Sequence, residues 1–199
     1  MFETDLLNTV GDFYKQNPGP HEVNGFPHCV VSSNTDGVIE LDHFRQMNLY
    51  FDKANVPLNG RVAILDPVQV TTLEGMVTIT SDISQFAVDI IKDTMSSGMQ
   101  LKFNLFGWDV IKSNRLPTGE FDDGTTKRTG VAAIFMSILD DNTKPLMGAW
   151  RRMPKVEGER NKDLSRDEYV TKCRYGFGLQ REDTLGVVVT DAVKFNPVK

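Results

Sequence analysis

The sequence predicts an α+β fold, with helices concentrated before residue 98 and strands after it. Three observations predict it. Apolar residues recur at helical spacing in 3–16, 43–54 and 83–97. From residue 99 onward the apolar period shortens to two, the repeat of a half-buried strand. The chain has 199 residues, 40% of them hydrophobic and 25% charged, which suffices for a sizeable core and excludes collagen, coiled coil and full disorder.

The elements follow in order. Phe2, Leu6, Leu7, Val10, Phe13 and Tyr14 put one apolar stripe on a helix over 3–16. Asn17-Pro18-Gly19-Pro20 ends it, because proline cannot continue the hydrogen-bond ladder. Residues 26–32 form a short apolar stretch of strand character, and Asn34-Thr35-Asp36-Gly37 signals a turn. A second helix runs over 43–54, with Asp42 as the expected N-cap and Phe44, Met47, Phe51 and Ala54 on its apolar face. Asn55-Val56-Pro57 closes it, and 61–65 reads as a buried strand. Asp66-Pro67 starts a short helix, a cap residue followed by proline at the first helical position, and Gly75 is expected to end it. Ile83, Phe86, Ala87, Ile90, Ile91 and Met95 make the clearest helical stripe, over 83–97. Asp82 and Gln85 resemble a capping box before it, and Gly98 supplies the stop.

The second half is β-rich. Residues 99–106 and 108–112 read as paired strands with Gly107 at the bend. Residues 114–130, with Pro117, three glycines and Asp122-Asp123, read as a long polar loop. Residues 131–139 fit a strand or a buried helix, since a short unbroken apolar run has no period to read. A strand pair is expected in 146–160, a charged loop in 159–166, and further strands in 169–180 and 185–190.

Composition limits the function. No apolar run approaches the roughly 18–20 residues that a membrane helix needs. The opening Met1-Phe2-Glu3-Thr4-Asp5 is acidic, unlike the basic start of a signal peptide. Cys29 and Cys173 form no CxxC, and they read as reduced thiols of a cytosolically made protein. The 22 basic and 27 acidic residues leave a net charge of −5, which disfavours a dedicated DNA-coating protein.

Catalytic signatures are missing from the sequence: no GxSxG, Walker loop, HExxH or GxGxxG. Gly176-Phe177-Gly178 lacks a third glycine and sits in a strand pattern. His28-Cys29 is the one neighbouring pair of the types used in thiol catalysis, but adjacent strand residues point to opposite faces. His21, His28 and His43 match no common metal-ligand spacing. Asp122-Asp123 and Asp140-Asp141 read as solvated turns rather than calcium loops.

Charge distribution says more. Residues 151–174 hold eight Lys/Arg and five Asp/Glu, a net of +3, and Arg151, Arg152 and Lys155 form the notable cluster. Residues 116–145 hold five Asp/Glu and three Lys/Arg, a net of −2. Two oppositely biased regions in one chain suit head-to-tail self-association. Arg151, Arg152, Lys155, Asp122 and Asp123 are therefore the interface candidates, for a subunit–subunit or an inner-surface contact.

Three segments carry a family resemblance. The first is Phe51-Asp52-Lys53-Ala54-Asn55-Val56-Pro57-Leu58-Asn59-Gly60-Arg61-Val62-Ala63-Ile64-Leu65-Asp66-Pro67. The second is Leu105-Phe106-Gly107-Trp108-Asp109-Val110-Ile111-Lys112-Ser113-Asn114-Arg115-Leu116-Pro117. The third is Cys173-Arg174-Tyr175-Gly176-Phe177-Gly178-Leu179-Gln180-Arg181, followed by 185–190. In this order they resemble the tailed-phage major capsid proteins. The resemblance implies the Hong Kong 97 phage capsid fold, an α+β fold of mixed sheets with flanking helices. It assigns 1–35 to a helix and extended segment left from the spine helix and peripheral domain. It assigns 36–130 to an axial domain and 131–199 to a β-rich return to the peripheral domain. The family carries a long region before this part, and here about 35 residues precede the match. The expected identities are the C-terminal portion of a coat protein, or a reduced or minor capsid subunit.

The resulting expectation is a non-catalytic, cofactor-free structural subunit of an icosahedral capsid, made in the host bacterial cytoplasm and located in the virion. Its partners would be itself in hexamers and pentamers, scaffolding or cement proteins, and packaged double-stranded DNA through non-specific inner-surface contact, with no membrane. The rivals are a small soluble α+β enzyme or ligand-binding domain with a site near His28 and Cys29, and a nucleic-acid-binding module using 151–174.

Overall fold

A computed structural model describes residues 2–34, 36–79, 103–161 and 164–191. The helix expected over 83–97 lies outside the described residues. The first helix, α1, spans Phe2–Gln16. Short strands β1 (Glu22–Val23), β2 (Phe26–Pro27) and β3 (Cys29–Val31) follow. Next come α2 (Leu41–Lys53), β4 (Arg61–Leu65) and α3 (Pro67–Ile79). The rest is strand: β5 (Phe103–Leu105), β6 (Trp108–Lys112), β7 (Thr118–Asp122), β8 (Lys127–Ser137), β9 (Leu146–Asn161), β10 (Arg166–Leu179) and β11 (Leu185–Thr190).

Among the described residues one seven-stranded sheet runs β3-β11-β8-β4-β6-β5, with β7 also paired to β8. The β3–β11 and β4–β6 pairs are parallel and the others antiparallel. The sheet is covered on both faces. Ala63, Leu65, Ala133, Phe135 and Val188 pack with Phe44, Met47 and Phe51 of α2 and Val70 and Leu73 of α3. The alternate residues Val62, Ile134, Met136, Val187 and Val189 pack with Leu7, Val10 and Tyr14 of α1. This two-sided burial explains why 131–137 shows no alternation: it belongs to strand β8, apolar on both faces, while Ile138 and Leu139 lie past its end and are exposed. Every residue of β11 is buried for the same reason.

Several boundaries differ from expectation. The cap of α2 is Glu40 rather than Asp42. Its carboxylate accepts the His43 backbone N–H, and His43 Nδ1 accepts the Glu40 N–H at 2.9 Å. Gly75 does not end α3, which continues to Ile79. A glycine costs a helix interior about 1 kcal/mol and does not force a stop. Its start is as expected: Asp66 Oδ2 accepts the Val68 N–H at 2.9 Å. Residues 114–130 are not one loop, because β7 and the start of β8 pair through them. Polar residues suit β7, which has β8 as its sheet neighbour. Gly130 is needed there, since a Cβ would meet the Thr190 carbonyl oxygen at 2.0 Å. Residues 146–160 are one strand, β9, rather than a strand pair.

One buried charge anchors the α2–β4 connection. Arg61 is 1% exposed. Its guanidinium donates to the Pro57 and Val56 carbonyls at 3.1 and 2.7 Å, Asn48 Oδ1 at 3.0 Å and Asp52 Oδ1 at 2.6 Å. It also lies over the rings of Phe51 and Trp108.

Candidate functional site

The structure points to the β9–β10 hairpin. Its 16- and 14-residue strands form their own two-stranded sheet, separate from the seven-stranded one. An isolated two-stranded ribbon is marginal in water, so something must hold it. At the base that is α1: the Phe2 ring stands edge-on to Trp150 at 5.0 Å and to Tyr175 at 4.5 Å. The Tyr175 hydroxyl donates to the Asp5 carboxylate. Beyond this base, large apolar side chains face solvent. Met153 is 71% exposed, Val156 63% and Tyr169 74%, values that set them apart from the core. Met147, Trp150 and Val170 are exposed as well.

The basic candidates lie on this hairpin. Arg152 pairs across the ribbon with Arg174, and Lys155 with Lys172. The register is irregular between Lys172 and Arg174 and between Arg174 and Tyr175, which re-aims the side chains there. Arg151, Arg152, Lys172, Cys173 and Arg174 line a surface concavity. Glu157 answers three of the cations: Arg152 at 3.6 Å, Lys155 at 3.7 Å and Lys172 at 3.3 Å. The Lys172 hydrogen bond and charge, with help from Arg152 and Lys155, hold its carboxyl below the ordinary value. Arg151 and Arg174 have no ion-pair partner among the described residues. Lys172 and Arg174 were part of the sequence's charge run, but only strand register places them beside Arg151 and Arg152.

Asp122 and Asp123 lie elsewhere, at the last residue of β7 and in the turn to β8. Asp122 Oδ1 accepts the Gly124 N–H at 2.8 Å. Asp123 Oδ1 accepts from Thr125 and Thr126 at 2.8 and 2.6 Å, and its Oδ2 from Val31 at 2.9 Å. Within the chain no ion pair joins them to Arg151, Arg152 or Lys155 among the described residues.

The thiol and imidazole candidates are built into the core. Cys29 packs with Val31, Val187 and α1, while His28 stacks on Phe51 with ring centroids 5.3 Å apart, on the other side of the sheet. His28 Nδ1 bonds the Leu185 carbonyl at 2.9 Å. Burial, with minor help from Asp123 and Asp122, pushes the Cys29 thiol up to about 12, so it stays protonated and non-nucleophilic. Burial also lowers His28 and His43. His21 Nε2 contacts the Asn17 carbonyl at 2.6 Å. The three histidines serve separate local structures. Both cysteines are free, Cys29 buried and Cys173 exposed. Among the described residues no helix is long and apolar enough to cross a membrane.

Comparison with known proteins shows the fold and the family. A structure from Mycobacterium phage Che8 matches with a TM-score of 0.59 at 19% identity, over 94% of this chain and 56% of that one. The SrpI encapsulin of Synechococcus elongatus PCC 7942 matches with a TM-score of 0.62 at 12% identity, over 99% of this chain and 63% of that one. The capsid of cyanophage P-SCSP1u gives 0.60 at 14% identity, over 96% and 62%. The chain thus spans less than two thirds of the length of these structures. It has their fold, as the sequence resemblance implied. No curated protein matches significantly. The sequence model of the phage capsid protein family matches residues 21–190. By that match, which takes in most of the chain, the protein belongs to the phage capsid protein family.

Proposed function

We propose that this chain is a structural subunit of an icosahedral phage capsid, assembling with copies of itself into the shell that encloses the DNA genome. The observation that carries the reading is the uncovered apolar hairpin. Met153, Val156 and Tyr169 extend from a ribbon that α1 covers only at its base. Exposed apolar side chains grouped on one element mark an interaction site. The proposed contact buries them against a second copy, with complementary charge at the rim. The basic group Arg151, Arg152 and Lys155 stands at an interface in this reading. Each rim pair is worth about 0–1 kcal/mol, and a closed ring repeats it.

The protein is in this reading a non-enzymatic virion component, made in the host cytoplasm, with scaffolding or cement proteins as further partners. Residues 36–130 contribute mainly an axial region, and 131–199 return toward a peripheral one. The separate pairing of β9 and β10 supports assigning the hairpin, with α1, to the peripheral part.

Electron microscopy and sedimentation of the expressed 199-residue chain test the proposal. Closed particles, rings or sheets are expected. Val156→Asp with Tyr169→Ser should abolish them while circular dichroism stays unchanged. A wild-type chain that stays monomeric at high concentration, or a variant that assembles normally, refutes the role of the hairpin.

A further inference from the structure

We propose that the concavity lined by Arg151, Arg152, Lys172 and Arg174 is a phosphate-binding cradle for the backbone of the enclosed nucleic acid. The inference rests on the shell reading for the identity of that nucleic acid. The chain as a whole is acidic, at −5, so this concentration of cations is a local inversion of its surface. It is also costly in isolation. Arg152 faces Arg174 and Lys155 faces Lys172, and like charges directly opposite in a ribbon destabilise it. Three cations share the single carboxylate of Glu157, and Arg151 and Arg174 have no ion-pair partner among the described residues. The surplus calls for anions supplied from outside.

The neighbour's Asp122–Asp123 turn is a poor source for all of them. Asp123 already accepts three backbone N–H groups and Asp122 one. A phosphodiester chain brings one full charge per residue at regular spacing, with oxygens open to the guanidinium fork. The register irregularities gather the four cations into a concave rather than flat surface. The remaining lining residue, Cys173, adds no bulk or negative charge. Contacts of this kind position a backbone without reading sequence, which suits a shell that must hold any genome segment.

The test is fluorescence anisotropy of a labelled 30-base-pair duplex with the full 199-residue chain, from 50 to 200 mM salt. Binding should weaken with salt. Arg151→Gln/Arg174→Gln should lose at least ~10-fold affinity at low salt and cut the log–log salt slope by about 1.8, near 0.9 per lost phosphate contact. Arg151→Lys/Arg174→Lys keeps the charge and should keep the slope, which separates lost charge from lost fold. Lys127→Gln/Lys144→Gln removes equal charge elsewhere and should change affinity less than about 2-fold. An unchanged slope in the Gln double variant, or an equal loss in the Lys127/Lys144 control, overturns the cradle. Displacement of the duplex by inorganic phosphate at equal ionic strength assigns the concavity to free phosphate and overturns it too. So does arginine-dependent binding of an Asp-Asp turn peptide in place of the duplex, which would make it a copy–copy contact. Particle formation is scored separately by microscopy. Arginine-dependent duplex binding without particles sinks the shell reading alone, and particles without it sink the cradle alone.

Discussion

Replacing Arg61 by methionine removes a buried cation while keeping most of its volume, so the loss reads hydrogen bonding rather than a cavity. The guanidinium is 1% exposed and donates to four acceptors. Two of them, the Val56 and Pro57 carbonyls, belong to the turn that joins α2 to β4. Orphaning a buried acceptor costs about 1–3 kcal/mol. Asp52 is half exposed at 51%, so water replaces much of what it loses and its Coulomb share is small. The expected total is about 2–4 kcal/mol. With a urea slope of about 2 kcal/mol/M, the midpoint should fall by about 1–2 M. Asp52→Asn should cost about 1 kcal/mol or less. Equilibrium urea unfolding followed by tryptophan fluorescence measures both, since Trp108 lies beside the guanidinium. A loss below about 0.5 kcal/mol for Arg61→Met at unchanged slope would refute the idea that these bonds fix the turn.

Two further predictions concern titratable groups. His28 and His43 are held below the ordinary value of 6.5 chiefly by burial, so the unfolded chain takes up their protons first. Stability should be fully present above about pH 6.5 and fall as pH drops toward the depressed folded values, by up to about 1.4 kcal/mol per pH unit for each histidine. Urea midpoints between pH 7.5 and 5.5 check this, and His28→Gln should flatten the curve. Exposed Cys173 should react with a thiol reagent in the native protein, whereas Cys29, buried and pushed up to about 12, should react only on unfolding.

What the sequence made legible was local. The stripe of α1 and the Asp66-Pro67 start of α3 depend on neighbouring residues, and both stand in the structure. Strand β8 was ambiguous because helices cover both sheet faces, which erases the period-two signal. The cap of α2 has no local sequence signal, because Glu40 and His43 bond reciprocally in place of the usual Ser, Thr or Asp pattern. Residues 146–160 form one strand although Pro154 lies within them. A two-stranded ribbon leaves each strand an outer edge, where a missing N–H is tolerated. The basic cluster was visible in composition, but its concave form was not. Lys172 and Arg174 join Arg151 and Arg152 only through a cross-strand register set by irregularities that no local pattern announces.

The position of β11 has a temporal consequence. It lies between β3 and β8, giving β3 its sheet partner and β8 a neighbour along 131–136. Yet the ribosome makes residues 185–190 after every other strand of that sheet. Until they emerge, β3 has no strand to pair with among the described residues, and the Val131–Met136 edge of β8 lacks its β11 neighbour. Such non-local closure is slow, because chain entropy is spent before the contacts repay it. A product cut short before Leu185 therefore lacks the middle of its sheet rather than a dispensable tail. Truncation before Leu185 should therefore abolish the cooperative unfolding transition, not merely lower its midpoint.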